Sequence, residues 1–569
     1  MRIFIVCCCC LGLMAASRFV GPSQGVEEAV EYFRREAVAF AGSCTELRKA
    51  TEGGAETKQL RQRLAEARLR YKHIESFLEY FFRSSATIYN RPPKFEAEDG
   101  SMEYQEAIGM QLMEAELYAP SLDREALLRQ AKAVESSAVD LPALLYGLKA
   151  DDRQVLESLR IELIRVITLD ITGYEAPLMK SGIGESRAAM ETIEVLLRPY
   201  LDAGKRADSV RSYLGFCEEL LKGDFDGFDR VQFLREAALP LQRQLGLFIR
   251  ENGLELNTTK TLNYAAETIF SRDAFVERKF PRAQGAAMVA RGRRLFFDSS
   301  LSGNGRKACV SCHNPAKAFT DGLAVSVGLD GHQLLDRNAP TLLYAGFQFA
   351  QFWDGRVKSL EEQVRTVLRD KREMGAAAVR EEDVAAIAAY VRSLHPMNSA
   401  FDDFLRDGAE VSAAAGTMSA GAVRGANLFM GKAQCATCHF IPLFNGLIPP
   451  DYAVTEFEVL GTTADDHLDR PRLSPDSGRF GSYPLPFFRG AFKTPTVRNA
   501  ALTAPYMHNG GFRSLETVVD FYNRGGGAGL GLSVPEQTLS ADSLRLSVGE
   551  MNDIVLFIHT LTDSPDPAP

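Results

Sequence analysis

Two short stretches carry the residue types with the most specific chemistry. "KACVSCH", ending at His313, and "KAQCATCH", ending at His439, each set two cysteines two residues apart with a histidine directly after. At this spacing the two thiols lie on one short helical turn and can add to the two vinyl groups of a porphyrin. The same turn carries the histidine beneath the iron. Zinc sites and redox dithiols also use Cys-x-x-Cys, but neither requires an adjoining histidine, let alone twice. The expectation is two covalently bound c-type haems, on Cys309, Cys312 and His313 and on Cys435, Cys438 and His439, with the histidines as proximal iron ligands.

Function then turns on the opposite face of each iron. A pure electron carrier fills both axial positions with strong ligands, whereas an enzyme acting on peroxide leaves one position open or openable. His332, His467 and His508 remain as histidine candidates, along with several Met and Tyr residues. His467 sits in a charged loop and reads as solvent-facing.

The elements around the motifs form an internal repeat. "GRRLFFDSSLSGNGRKACVSCH" from Gly292 and "GANLFMGKAQCATCH" from Gly425 share Gly-x-x-Leu-Phe ahead of the cysteines, and each unit closes on an apolar helix, "AIAAYVRSLH" and "DIVLFIHTLT". His395 and His559 on these closing helices read as packing or surface residues. From about Val26 to Thr268 the pattern is helical throughout. Leu60, Leu64, Ala67, Tyr71, Ile74, Leu78 and Phe81 make one apolar stripe, with Arg and Glu on the remaining faces, and the runs Val155–Ile171 and Val231–Ile249 supply partners for it. The fold class expected is mainly α: a leader over residues 1–22, a helical bundle over 23–270 and two tandem cytochrome c-like haem domains over 271–415 and 416–565.

Composition bounds the partners. A chain of 569 residues exceeds one ordinary core. Its apolar share of 46% and charged share of 24% describe a folded globular protein. A net charge of -9 offers no basic surface for phosphates, so nucleic acid is not an expected partner. The start, "MRIFIVCCCCLGLMAAS", has an early Arg and an apolar run too short to span a bilayer. It reads as an export signal whose removal leaves no transmembrane segment, and Cys7 to Cys10 come too early for a lipoprotein leader. Outside the leader and the motifs only Cys44 and Cys217 remain, as a disulfide or as buried free thiols. Two metal patterns in the bundle fail on spacing. His73 has Ser76 where a His-x-x-Glu pair needs its carboxylate, and "DFDGFD" at Asp224 to Asp229 has Arg235 where a calcium loop closes on Glu.

Several further segments resemble one family. "RNAPTLLYAGFQFAQFWDGR" from Arg337, "EEQV" from Glu361, "EM" at Glu373 and "FKTPTVRNAALTAPYMHNGGFRSLETVVDFYNRGG" from Phe492 are similar, in order and spacing, to the bacterial dihaem cytochrome c peroxidases and their relative MauG. The resemblance spans about Glu277 to Thr562. It implies that peroxide binds at the His313 haem, that Gln363 and Glu373 are the distal pair moving a proton between the peroxide oxygens, and that Trp353 relays electrons between the haems. It also implies a calcium ion held by Asn338 and the carbonyls of Thr503 and Pro505, hydrogen peroxide as substrate, and a small electron-donor protein such as a cytochrome c.

Two departures from the peroxidase branch matter. Where that branch places a methionine ligand for the second haem, this chain has Tyr522, as MauG-like proteins do, with Met507 as the alternative ligand. A phenolate stabilises oxidised iron and favours high-valent states. His332 stands in the loop that supplies a displaceable distal ligand, offset by about two residues, which leaves ligand or bystander open. The reading is a periplasmic dihaem peroxidase reducing hydrogen peroxide to water. A MauG-like enzyme oxidising residues of a partner protein is one alternative, and a non-catalytic electron carrier or peroxide sensor is another.

Overall fold

A computed structural model of the chain describes residues 23–94, 96–97, 104–202, 204–259, 261–275, 285–406 and 418–564. The leader expected over residues 1–22 lies outside the described residues. The chain is mainly α, an N-terminal helical bundle followed by two tandem cytochrome c-like units, with only short strands. No described helix is long and apolar enough to cross a membrane.

The apolar stripe from Leu60 to Phe81 lies on helix Thr57–Phe81, and six of its seven members are buried. This helix packs against Gln24–Glu52, Met110–Tyr118, Asp152–Arg165 and Gly182–Leu201. Because it is enclosed on several sides, Arg68, Lys72 and Glu75 are buried too, where the stripe alone places charges outside. Each charge is matched. Lys72 Nζ donates to Glu75, Asp170 and Glu175 at 2.6, 2.8 and 2.6 Å. Arg165 bridges Glu75 and Glu175 at 2.7 and 2.6 Å, and Arg68 forms a two-pronged pair with Glu185 at 2.8 and 2.9 Å. Among the described residues, Glu75, Asp170 and Glu175 are the one group with carboxylates close enough for a metal. The Lys72 ammonium already stands among them, so the cluster is an ion-paired core.

Both runs read as plain helix contain one turn of π-helix, Val166–Asp170 and Phe233–Ala238. The second leads into Pro240, which has no N–H to continue the ladder. In the first, the Thr168 and Thr172 hydroxyls bond backbone carbonyls at 2.6 and 3.0 Å, competing with the regular pattern. Cys44 and Cys217 are buried free thiols. The "DFDGFD" segment is a turn in which Asp224 accepts from Gly227 N and Asp226 pairs with Lys180. His73 bonds Tyr32 and Thr192, both at 3.2 Å.

The repeat is built on the same crossing twice. Helix Ala286–Phe296 packs on Glu381–Arg392, and Ala420–Met430 packs on Val548–Thr560. At each crossing a glycine touches the partner backbone. A β-carbon on Gly292 would lie 1.8 Å from Ala386 O, and one on Gly425 would lie 1.8 Å from Asp553 O. The phenylalanine four residues on packs on the facing aromatic, Phe296 on Tyr390 at 5.2 Å and Phe429 on Phe557 at 5.3 Å. One apolar core runs from the bundle through part of the first unit into the second, with Phe270 on Phe401, Phe401 on Phe444 and Phe275 on Tyr452. The first unit adds separate small clusters, around Phe296, Phe319 and Tyr390 and around Leu368, Met374 and Val384.

Between the units, buried Arg498 pairs with Asp402 at 2.7 and 2.8 Å and donates to Pro442 O at 2.9 Å. Two stability outcomes follow. Gly425→Ala forces the crossing helices apart and should cost about 1–3 kcal/mol, read as a lowered thermal midpoint. Asp402→Asn keeps the shape but strands a buried guanidinium, and denaturant titration should show a loss of about 3–5 kcal/mol.

Candidate functional site

Each Cys-x-x-Cys-His motif forms a single 3-10 turn, Cys309–Ser311 or Cys435–Thr437, and the histidine N–H bonds back to the first cysteine carbonyl at 3.0 or 2.9 Å. This turn sets the thiols and the imidazole on one side. His313 Nδ1 lies 3.0 Å from Phe319 O, and His439 Nδ1 lies 3.0 Å from Pro495 O. A ring that donates from Nδ1 keeps Nε2 as its lone-pair nitrogen, the arrangement typical of a metal-bound histidine. Burial pushes both imidazoles down, His439 to about 4, so the rings are neutral. None of the four motif cysteines forms a disulfide. Unpaired thiols beside a neutral, oriented imidazole are the donor set that a c-type haem needs, and the residues fit that group at both motifs.

The surroundings of the two motifs differ. Gln363 is half-buried on helix Leu360–Arg369, and Glu373 is half-buried in the turn that follows. The side chains of both make no hydrogen bond among the described residues, although neighbouring Glu361 is held by Arg392. Burial, then the nearby Asp370, pushes the Glu373 carboxyl up, and its charge bears on the Cys312 thiol. Glu373 therefore lies near the first motif. His332 is exposed on a turn where its N–H bonds Asp330.

Beside the second motif stands Tyr522, on helix Leu515–Asn523. Burial raises its phenol pKa, and the groups next in influence are the Cys438 and Cys435 thiols, so the hydroxyl lies near that motif. It forms no hydrogen bond among the described residues. A phenol so placed ionises only against a cation. Met507 packs in the same apolar cluster, with Leu468, Phe512 and Phe521 around it. His467 and His559 are exposed, while His395 packs on Phe347 at 4.9 Å.

Trp353 is tied to both units. Its indole N–H donates to Asn338 O at 2.9 Å, and its carbonyl accepts from Lys493 N, on the short strand Ala491–Lys493 of the second unit, at 2.7 Å. The turn after it needs Gly355, at φ +65°, because a β-carbon there would lie 2.3 Å from the Phe457 ring. Arg337 clamps the junction, bonding Asp354 at 2.7 Å and Asp476 at 2.6 and 2.9 Å. Asn338 N donates to His508 O at 2.7 Å, and buried His508 stacks on Phe492 at 3.7 Å. The Asn338 amide group donates to Leu323 O at 2.8 Å, leaving its Oδ1 without a partner among the described residues. The carbonyls of Thr503 and Pro505 likewise accept no hydrogen bond among the described residues.

Sequence reasoning missed a second layer of the repeat. The carbonyls of Pro340 and Pro495 both bear on the motif histidines. The threonines after them, Thr341 and Thr496, donate to Ala318 O at 2.6 Å and to Leu443 O at 2.9 Å. The residues following these acceptors, Phe319 and Phe444, both have positive φ. The signal was present as "APTL" and "TPTV", but the two lie at unequal distances after their motifs, which hides the alignment.

Residues 286–385 match the family model described as di-haem cytochrome c peroxidase. Among similar proteins, the cytochrome-c peroxidase IdrP2 of Denitromonas iodatirespirans is 31% identical over 53% of this chain and 90% of its own length. IdrP1 of Pseudomonas sp. strain SCT is 34% identical over 49% and 82%. The methylamine utilization protein MauG of Methylorubrum extorquens is 32% identical over 49% and 78%.

Proposed function

The chain belongs to the dihaem cytochrome c peroxidase and MauG family, an oxidoreductase family whose members carry two c-type haems, and from that premise we propose that it reduces hydrogen peroxide to water in the periplasm. The observation that carries this reading is the asymmetry between the motifs. Glu373, whose charge bears on Cys312, and Gln363, on the helix before it, are half-buried, and their side chains make no hydrogen bond among the described residues. Near the second motif stand instead the Tyr522 phenol and the buried carboxylate of Glu458.

In this reading Cys309, Cys312, Cys435 and Cys438 attach the haems covalently, and His313 and His439 hold the irons from one side. Haems bound there would supply one-electron redox chemistry and an iron centre open to peroxide. Glu373 accepts a proton from one peroxide oxygen and returns it to the other, while Gln363 orients the molecule by hydrogen bonding. Two electrons and two protons convert one peroxide to two waters. The electrons come from a small donor protein such as a cytochrome c and pass between the units by way of Trp353, whose hydrogen bonds to Asn338 and Lys493 fix it at their junction. Asn338 Oδ1 and the Thr503 and Pro505 carbonyls form the oxygen set for a calcium ion holding that junction.

Tyr522 favours a second reading, MauG-like oxidation of residues on a partner protein, since an anionic ligand stabilises high oxidation states. Turnover with peroxide and a reduced small cytochrome separates the two: a rapid steady state supports the peroxidase, and near-absent turnover supports the protein-modifying enzyme.

Two outcomes test the assignments. Because burial, then the nearby Asp370, raises the Glu373 pKa, the acid limb of kcat/KM should lie above the usual carboxylate range. Glu373→Gln should lower kcat/KM by about 10²–10⁴ and remove that limb, as steady-state assays across pH would show. Electron paramagnetic resonance of the oxidised protein should show the low-spin signal altered in Tyr522→Phe and retained in Met507→Leu. The reverse pattern would transfer the ligand role to Met507.

A further inference from the structure

The helical bundle does more than flank the second unit. The core continues across the boundary without a break, and polar contacts gather where the bundle meets the second motif. Gln434, directly before Cys435, donates to Pro177 O at 3.0 Å. Asn427 accepts from Val231 N and donates to Asp229, both at 3.0 Å. Tyr174 meets Phe440, the residue after His439, edge to face at 5.1 Å, and its hydroxyl donates to Glu456 at 3.3 Å.

The charges at this boundary are unusual. Glu456 and Glu458 are buried on the second unit, around the short strand Phe457–Val459. Their cation comes from the bundle: Lys94 pairs with Glu456 and lies 3.4 Å from Glu458. Two buried carboxylates thus approach the one Lys94 ammonium. All three bear on the Cys438 thiol, and Glu458 bears on His439 and Tyr522 as well. On the bundle side the contact is rigidly held. Tyr174 lies between Asp170 and Glu175, and both of those carboxylates are fixed by Lys72 in the ion-paired core.

We propose that the bundle forms part of the second haem's environment: Lys94, with Tyr174 beside it, neutralises Glu456 and Glu458 and thereby sets the reduction potential of the haem at His439. Lys94 acts as a positioning and electrostatic residue and touches no reacting atom. The physical basis is the Coulomb term in a buried setting, where a fixed charge near a redox centre is weakly screened. Removing the ammonium leaves negative charge beside the iron and favours its oxidised form; removing a carboxylate does the opposite. The inference rests on family membership and its second haem, and it is independent of the proposed peroxide chemistry.

The test is a spectroelectrochemical titration of the full-length holoenzyme without peroxide, following each haem separately. Lys94→Gln should shift the midpoint of the His439 haem downward and leave that of the His313 haem unchanged, and Lys94→Arg should restore it. Glu458→Gln should shift the same midpoint upward, which keeps the test decisive if Lys94→Gln fails to fold. A shift of predicted sign in either variant supports the proposal. Unchanged midpoints in variants with full haem content overturn it, and equal shifts at both haems, the mark of a general loss of structure, overturn it too. Peroxide turnover, measured separately, reports on the proposed function and can fail while these shifts hold.

Discussion

The hydrogen bond from each motif histidine to a backbone carbonyl is the constraint on which the site depends. It chooses the tautomer, aims the remaining nitrogen away from the loop and fixes where an iron can lie. His313 takes its carbonyl from Phe319, six residues away, whereas His439 takes it from Pro495, more than fifty residues on. The first motif is oriented by its own loop together with the Pro340 carbonyl, which also bears on His313. The second is oriented by a segment that also carries Lys493, bonded to Trp353, and leads on to buried Arg498, paired with Asp402. Orientation of the second motif and docking of the two units are thus one structural event.

The asymmetry between the motifs grows out of this plan. Both units repeat the glycine crossing, the aromatic contact and the Pro-Thr brace, which build the half of each site that holds a haem. The other half comes from segments that the repeat does not share. The first unit adds the helix and turn bearing Gln363 and Glu373, and the second adds the helix bearing Tyr522. A duplicated scaffold with different inserts can keep two similar cofactors at different potentials and with different access.

The bundle fits the same logic of buried charge. Its centre is a set of ion pairs around Lys72 and Arg165, and its edge offers Lys94 to two carboxylates of the second unit. Buried pairs contribute little net stability over apolar packing, but loss of one partner is costly. Such pairs therefore fix how elements meet. Here they hold Tyr174 and Lys94 against the second motif.

The sequence by itself determined the chemistry that covalent spacing encodes: two Cys-x-x-Cys-His turns, the Gly-x-x-Leu-Phe repeat ahead of them, and the apolar stripe of the long bundle helix. These are local patterns, governed by helical geometry within a few residues. Only the tertiary structure decided that Arg68, Lys72 and Glu75 lie inside, since enclosure depends on how many helices surround a given one. Likewise, that Pro340 and Pro495 brace corresponding histidines, that Trp353 bonds to both units, and that Lys94 reaches Glu456 across more than three hundred residues depend on chain closure, which leaves no periodic trace in the sequence.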